Sequence, residues 1–206
     1  MVEMMNTYYP DYDVLDLKEE WDPVTVDVVL KRLGPFPALK FLQDHEEPKL
    51  RVIAKHLVYD HRDDIFDWII HFIDQRLSNE LGEYQRKPDT PPEKILVREG
   101  LQALDTLSQK LYNQDFLEVG TEEQFEMLSD LQLGKAASIP EWSTVPQQDL
   151  FDKLLLLTVS AYYSHPTIWS EMGYGGPAHP RGYYRLELGI RDPWEAERKK
   201  EEKNGE

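Results

Sequence analysis

The chain contains no cysteine. This absence excludes disulfide bonds, cysteine-ligated zinc, iron–sulfur clusters, thiol catalysis and covalent haem attachment to this chain. Long apolar runs are also missing, because the most apolar stretch, residues 154–159, is far shorter than the roughly 18 residues that suggest a membrane span. The N-terminus lacks the basic start and the apolar stretch of a secretory signal. We therefore expect a cytoplasmic protein without direct membrane insertion.

Basic residues are scarce: 23 lysines and arginines stand against 39 aspartates and glutamates, which gives a formal net charge of −16. Proteins that bind nucleic acid or anionic lipid use clustered basic side chains to neutralise phosphate groups. The charge balance therefore argues against both kinds of partner. Hydrophobic residues at 40% and charged residues at 30% are typical of a single globular domain with a charged surface.

Apolar residues recur at helical spacing along most of the chain, and no stretch shows the convincing alternation of a strand. This pattern predicts a mainly α fold, an irregular helical domain with a long, ordered, Gly/Pro/Tyr-rich C-terminal loop segment. We predict an N-terminal arm over 1–21, a single helical domain over 22–193 and a charged tail over 194–206. The expected helices cover residues 22–33, 48–58, 64–81, 92–112, 121–134 and 146–162.

Two helix starts carry local signals. Asp22 and Pro23 are the residue types preferred at an N-cap and at the first helical position. Residues 121–124, Thr-Glu-Glu-Gln, match a capping box, and Phe125 is expected to face inward. The arm before the first helix is either a poorly ordered lead-in or an extended segment that lays its aromatic rings on a partner or on the domain. Its aromatic residues are Tyr8, Tyr9, Tyr12 and Trp21.

Residues 160–185, which we term the Gly/Tyr/Pro segment, have the most unusual composition. They include five of the eleven tyrosines and four of the eleven glycines, which is too aromatic for a disordered linker. The prolines and glycines argue against a regular helix or a central strand. Long ordered loops are uncommon and usually functional. We therefore expect the functional surface to lie in this segment.

The Gly/Tyr/Pro segment offers little for nucleotide or metal binding. The glycines of 173–176 follow a helix and precede Pro177, whereas a dinucleotide fingerprint follows a strand and opens a helix. His165, Glu171 and His179 are ligand types for iron or zinc, but their spacing fixes no common face. Hydrogen bonding inside the loop, or contact with a partner, is the simpler interpretation of these three side chains.

A second group of histidines and aspartates lies around the start of the third predicted helix. Its spacing matches neither a His-Glu-x-x-His motif nor a calcium-binding loop, so we expect a solvated acidic helix start. The group comprises His56, Asp60, His61, Asp63, Asp64, Asp67 and His71.

Arg181, Arg185 and Arg191 form a local basic spot among tyrosines. Tyrosine, tryptophan and arginine are enriched at the energetic centres of protein interfaces. The segment is therefore either a partner-binding surface or a loop whose rings pack onto the preceding helix, and no residue is assigned to catalysis or to a metal. The residues assigned to one of these two roles are His165, Pro166, Trp169, Glu171, Gly173, Tyr174, Gly175, Gly176, Pro177, Pro180, Arg181, Gly182, Tyr183 and Tyr184.

Residues 116–128, the helix end Ala-Tyr-Tyr-Ser-His-Pro at 161–166, and Gly-Tyr-Gly-Gly-Pro-Ala-His-Pro-Arg-Gly-Tyr at 173–183 occur in this order. Together they resemble the gluconate 2-dehydrogenase subunit 3 family, with the glycine-rich stretch as the most specific part. The resemblance covers residues 92–185, and residues 1–90 add nothing to it.

The resemblance implies a small, mainly helical, non-catalytic subunit that supports the folding, stability or export of a flavoprotein. Its partner would be a large FAD-dependent oxidoreductase of the glucose–methanol–choline type, acting on a sugar, a sugar acid or a related polyol. FAD would belong to that partner, with no cofactor in this chain, and a cytochrome c subunit takes the electrons in many relatives. Many relatives carry a twin-arginine signal that this chain lacks, which favours a cytoplasmic complex.

Two other functions stay open on the sequence. One is a stand-alone metal-dependent enzyme that uses His165, Glu171 and His179. The other is a helical adaptor for an unrelated partner. An FAD-dependent oxidoreductase encoded beside this chain would favour the accessory subunit over the adaptor.

Overall fold

The computed structural model describes residues 7–79, 87–182, 187 and 189–198. Its α-helices are α1 (Pro23–Leu30), α2 (Glu47–Val58), α3 (Asp63–Ser78), α4 (Glu93–Tyr112), α5 (Thr121–Leu133), α6 (Gln147–Tyr162) and α7 (Pro166–Met172). Short 3-10 helices cover Val14–Glu20, Lys31–Leu33 and Pro140–Ser143. No strand forms among the described residues, and the predicted mainly α class is confirmed. None of the helices in that part of the chain is long and apolar enough to cross a membrane.

The chain divides into two compact units. The helical unit, Phe36–Tyr162, contains α2 to α6. The terminal unit combines Met1–Pro35 with Tyr163–Glu206 and contains α1 and α7. Most of the Gly/Tyr/Pro segment therefore belongs to the same unit as the N-terminal arm.

α6 is the central helix of the helical unit, because it contacts α2, α3, α4 and α5. Its buried residues recur at three- and four-residue intervals and are Leu150, Phe151, Leu154, Leu157, Thr158, Ala161 and Tyr162. α4 approaches it closely at Gly100, where an added Cβ would lie 2.2 Å from Leu150 Cδ1. A wide apolar face is stable only when neighbouring helices cover it. The four helices that pack around α6 cover its apolar face and form the core of the helical unit.

A buried carboxylate fixes the loop that leads into α2. Asp74 on α3 is 2% exposed and accepts hydrogen bonds of 2.8–2.9 Å from the backbone N–H groups of Lys40, Phe41 and Leu42. These residues form no helix, so their N–H groups have no intrahelical acceptors. Asp74 supplies the acceptors that a buried or half-buried backbone needs.

A second buried carboxylate, Asp60, lies in the break between α2 and α3. The Arg62 guanidinium donates to it at 2.6 Å and the Tyr162 hydroxyl donates at 3.0 Å. Burial raises the pKa of Asp60, but the hydrogen bonds and charge of Arg62 outweigh it and lower the pKa to about 2. The expected solvated acidic helix start is therefore wrong for Asp60. It is confirmed for Asp63, which lies exposed in the first turn of α3 where the helix dipole favours negative charge.

Several predicted caps are confirmed or corrected. The Asp22 carboxylate accepts from the backbone N–H groups of residues 24 and 25, so the predicted start of α1 is confirmed. Gly120, rather than Thr121, is the N-cap of α5. Gln124 is buried and hydrogen-bonds to a backbone carbonyl at 2.9 Å instead of closing a capping box. The capping-box prediction is therefore wrong by one residue, and Phe125 is exposed rather than inward.

Asp74→Ala should lower the free energy of unfolding by about 3 kcal/mol, because three backbone N–H groups lose their acceptor. Asp67 on the same helix is exposed and pairs with Arg51, so Asp67→Ala should cost less than about 1 kcal/mol. Urea unfolding followed by far-ultraviolet circular dichroism measures both values. Equal losses for the two variants would contradict the role given to Asp74.

Candidate partner-binding surface

The Gly/Tyr/Pro segment begins as the end of α6 and then forms α7, so the expectation that it contains no regular helix is wrong for Pro166–Met172. His165 is the N-cap of α7, with extended backbone, and its Nδ1 accepts a hydrogen bond from the Thr167 N–H at 3.2 Å. Pro166 fills the first helical position, where its missing N–H leaves no hydrogen bond unmade. His165 and Pro166 are both buried, so this turn is not an exposed loop.

Aromatic rings pack directly against the backbone at three glycines of the segment. An added Cβ at any of them would lie 2.6–2.7 Å from a ring carbon, closer than real Cβ atoms approach. The glycines and their ring partners are Gly173 with Tyr9, Gly175 with Trp194, and Gly176 with Trp21. Two of the three, Gly173 and Gly176, also have positive φ angles of 72° and 79°, which L side chains rarely adopt.

Arg181 is held by contacts within its own unit. Its side chain is 6% exposed and pairs with Glu20 at 2.9 Å. The guanidinium lies 4.6 Å from the Trp194 ring centroid and donates to the backbone oxygens of Gly175 at 2.5 Å and Pro177 at 3.0 Å. Charge-assisted hydrogen bonds and ring stacking offset the desolvation of a buried cation. Arg181 therefore stabilises the loop from within.

A second arginine, Arg32, belongs to the 3-10 helix Lys31–Leu33 and packs against Trp169 of α7. The Arg32 guanidinium is 5.1 Å from the Trp169 ring centroid and donates to the Ser164 carbonyl at 2.7 Å. Trp169 is buried, and its Nε1 donates to the Tyr163 carbonyl at 2.6 Å. The Tyr174 ring meets Trp169 edge-on with centroids 5.3 Å apart, yet 44% of Tyr174 is exposed. We term this group the Arg32–Trp169–Tyr174 cluster.

Burial sets the electrostatics of this surface. Burial lowers the pKa of Arg32, and the nearby Tyr174 opposes this effect. Burial also raises the pKa of Tyr12 to about 12, against the opposing charge of Arg181. The Tyr12 hydroxyl donates to the Trp194 carbonyl at 3.0 Å, so the tyrosine acts as a neutral hydrogen-bond donor at neutral pH.

The three candidate metal ligands have separate surroundings. His165 is buried as a helix cap, whereas His179 is exposed with its Nδ1 3.2 Å from Asp22 Oδ2. Hydrogen bonds from Thr25, and then from His179, lower the pKa of Asp22 to about 2. The Glu171 backbone carbonyl accepts a hydrogen bond from the arm. Within the described ranges, no group of three or more His, Asp or Glu side chains could hold a metal ion.

Burial divides the residues predicted for this surface. The buried ones are His165, Pro166, Trp169, Gly175 and Gly176, together with the side chain of Arg181. The half-buried or exposed ones are Glu171, Gly173, Tyr174, Pro177, Pro180 and Gly182. Tyr183 and Tyr184 lie outside the described residues. The partner-binding role of these residues stays a prediction.

The predicted site did not include Tyr9, Trp21, Arg32 and Trp194, whose rings or guanidinium pack into this surface. The aromatic content of the arm was a signal, but it does not say which glycine each ring contacts. Arg32 and Ser164 are 132 positions apart, and no local pattern reports such pairing.

Comparison with known proteins gives one match. The model of the family described as Gluconate 2-dehydrogenase subunit 3 matches residues 44–176, more than half of the chain. No curated protein and no solved structure matches. The matched region includes α2 and α3, which carried no resemblance on the sequence alone, and it ends at Gly176.

Gly176→Ala and Gly182→Ala should separate ring packing from backbone strain. Both glycines have positive φ, but an added Cβ meets Trp21 and Val14 at Gly176 and nothing within 4 Å at Gly182. We expect a loss of about 1 kcal/mol for Gly182→Ala from strain, and of about 3 kcal/mol for Gly176→Ala because overpacking adds to it. Urea unfolding followed by tryptophan fluorescence measures both. Equal losses would show that the ring contact at Gly176 contributes nothing.

Proposed function

Because the chain belongs to the gluconate 2-dehydrogenase subunit 3 family, we propose that it binds and stabilises an FAD-dependent dehydrogenase of sugars, sugar acids or polyols as a small, non-catalytic subunit. The family description names a subunit of a gluconate 2-dehydrogenase complex. The type of partner, its FAD and its substrate class are our extension of that description. The partner in this proposal is a large oxidoreductase of the glucose–methanol–choline type.

The observation that supports a binding role most directly is the Arg32–Trp169–Tyr174 cluster. Its inner members are fixed by hydrogen bonds and ring contacts, while Tyr174 presents a large part of its ring to solvent. Tyr163, which precedes α7, and Met172, the last residue of α7, are about half exposed as well. A rigid base with protruding aromatic and thioether groups fits an interface centre, because few rotamers are lost on binding.

The chemistry of the complex would belong to the partner and its cofactor. A flavin supplies hydride acceptance from a substrate alcohol, and the enclosing protein supplies binding and orientation. In this chain, the glycines of 173–176 receive aromatic rings from other parts of the terminal unit, which assigns them a packing role. A cytochrome c or another acceptor would take electrons from the partner's flavin.

Tyr174→Ala should weaken assembly with the dehydrogenase about tenfold, because it removes an exposed ring from a fixed base. The test is co-expression of the tagged chain with the FAD oxidoreductase that copurifies from the source cells. The readouts are retained flavin absorbance, alcohol-dependent dye reduction and the dissociation constant of the purified pair.

Tyr59→Ala is the matched control, because Tyr59 is 85% exposed and lies at the end of α2, outside the terminal unit and outside α5. It should leave assembly unchanged. Equal binding by wild type and the Tyr174 variant would remove this residue from the interface. A wild-type chain that captures no flavoprotein would overturn the proposed function and favour an adaptor for another partner.

A further inference from the structure

Two parallel rows of side chains run along the solvent face of α5. Glu122, Glu126 and Asp130 form an acidic row at four-residue spacing, and all three are exposed. Phe125 and Leu133 begin and end a neighbouring row of the same spacing and are 55% and 56% exposed. Residues three or four positions apart are neighbours on a helix surface, so the rows form one continuous strip. We term this strip the α5 face.

The acidic row works against the helix that carries it. Glu122 and Glu126, and then Glu126 and Asp130, are like-charged pairs at four-residue spacing, which destabilise a helix by about 0.2–0.5 kcal/mol each. Negative charge in the first turn suits the helix dipole, but Asp130 lies near the C-terminal end, where the dipole disfavours it. No basic residue lies within α5. Helix stability therefore does not explain this row.

Among the described residues, the negative charge of the α5 face is not neutralised by nearby basic side chains, and it affects the pKa of a neighbouring tyrosine. None of its acids forms an ion pair within the part of the chain that the structure describes. Partial burial, and then the charges of Glu126, Glu123 and Asp130, raise the pKa of Tyr112 at the end of α4. These uncompensated charges lie beside Phe125 and Leu133 on the helix surface.

Core packing does not account for Phe125 and Leu133 either. The inward side of α5 is occupied by Gln124, Met127, Leu128 and Leu131, which are all buried. Phe125 makes a ring contact with His56 at a centroid distance of 6.4 Å. An exposed aromatic ring and an exposed leucine in one row, flanked by uncompensated charge, have the composition of an interface with a charged rim.

We infer that the α5 face is a docking surface for a basic, apolar-centred surface of the dehydrogenase subunit, in which lysines or arginines meet the acidic row while apolar pockets receive Phe125 and Leu133. We choose a basic partner surface on the ground of charge complementarity. The chain has a net charge of −16 and α5 contains no basic residue, so this face repels an acidic surface and attracts a basic one. This inference rests on the proposed function and adds a second contact, carried by the helical unit.

The test uses the full-length chain and the purified dehydrogenase subunit, with dissociation constants measured at about 50 mM and about 300 mM salt. The double variant Glu126→Lys with Asp130→Lys should bind about tenfold more weakly at the lower salt and lose most of the salt dependence. Its melting temperature should not fall, because the change removes like-charge pairs and places bases near the helix C-terminus. Leu133→Ala should weaken binding about fivefold at both salt concentrations.

Matched controls lie elsewhere on the helical unit. Asp44→Lys with Asp152→Lys makes the same change in net charge at two exposed acids outside α5. Leu156→Ala removes a leucine from α6 that is also 56% exposed. Neither control should change affinity by more than about twofold at higher salt, where long-range steering is screened.

The outcomes separate this inference from the proposed function. Weaker binding by the α5 variants, with unaffected controls, supports the α5 face. A wild-type complex that tolerates the α5 variants, or loses equal affinity with the controls, overturns the α5 face and leaves the proposed function standing. A wild-type chain that does not bind the dehydrogenase overturns the proposed function, and the inference falls with it.

Discussion

The packing of aromatic rings against bare backbone is the constraint on which the terminal unit depends. Rings from the arm and from Trp194 occupy the positions that Cβ atoms would take at Gly173, Gly175 and Gly176. This contact brings the two ends of the chain together and allows Arg181 to stack on Trp194 and bond to loop carbonyls. A Gly/Tyr/Pro segment without these rings would keep neither the turn geometry nor the buried position of that arginine.

The same packing separates residues that hold the loop from residues that face solvent. His165 and Arg181 are occupied within the chain, as a helix cap and as an internal cation. Tyr174 keeps an exposed ring above the fixed Trp169. A subunit whose polar residues stabilise its own fold, while aromatic and acidic strips face outward, is suited to recognition. In the proposed function, the partner would supply the catalytic chemistry.

Local chemistry made part of this structure predictable. The Asp22 cap, the stripe of α6 and the stop at Gly134 follow from residue type and spacing, and each is found in the structure. The capping-box prediction failed because Gln124 is buried and donates to the nearby Phe116 carbonyl instead. α7 was missed because its glycine-rich surroundings masked the His165–Pro166 start. Two of the three glycine–ring contacts join the N-terminal arm to the C-terminal segment, and sequence periodicity carries no information about such distant pairs.

The measurement that tests the central claim most directly is sedimentation velocity of the chain mixed with the copurifying FAD oxidoreductase, followed at a flavin absorption band. The account predicts that flavin absorbance moves in one boundary, faster than the oxidoreductase alone, and that this boundary contains both chains in fixed ratio. Flavin absorbance that sediments at the rate of the isolated oxidoreductase, with this chain left in a slow and colourless boundary, would contradict the account.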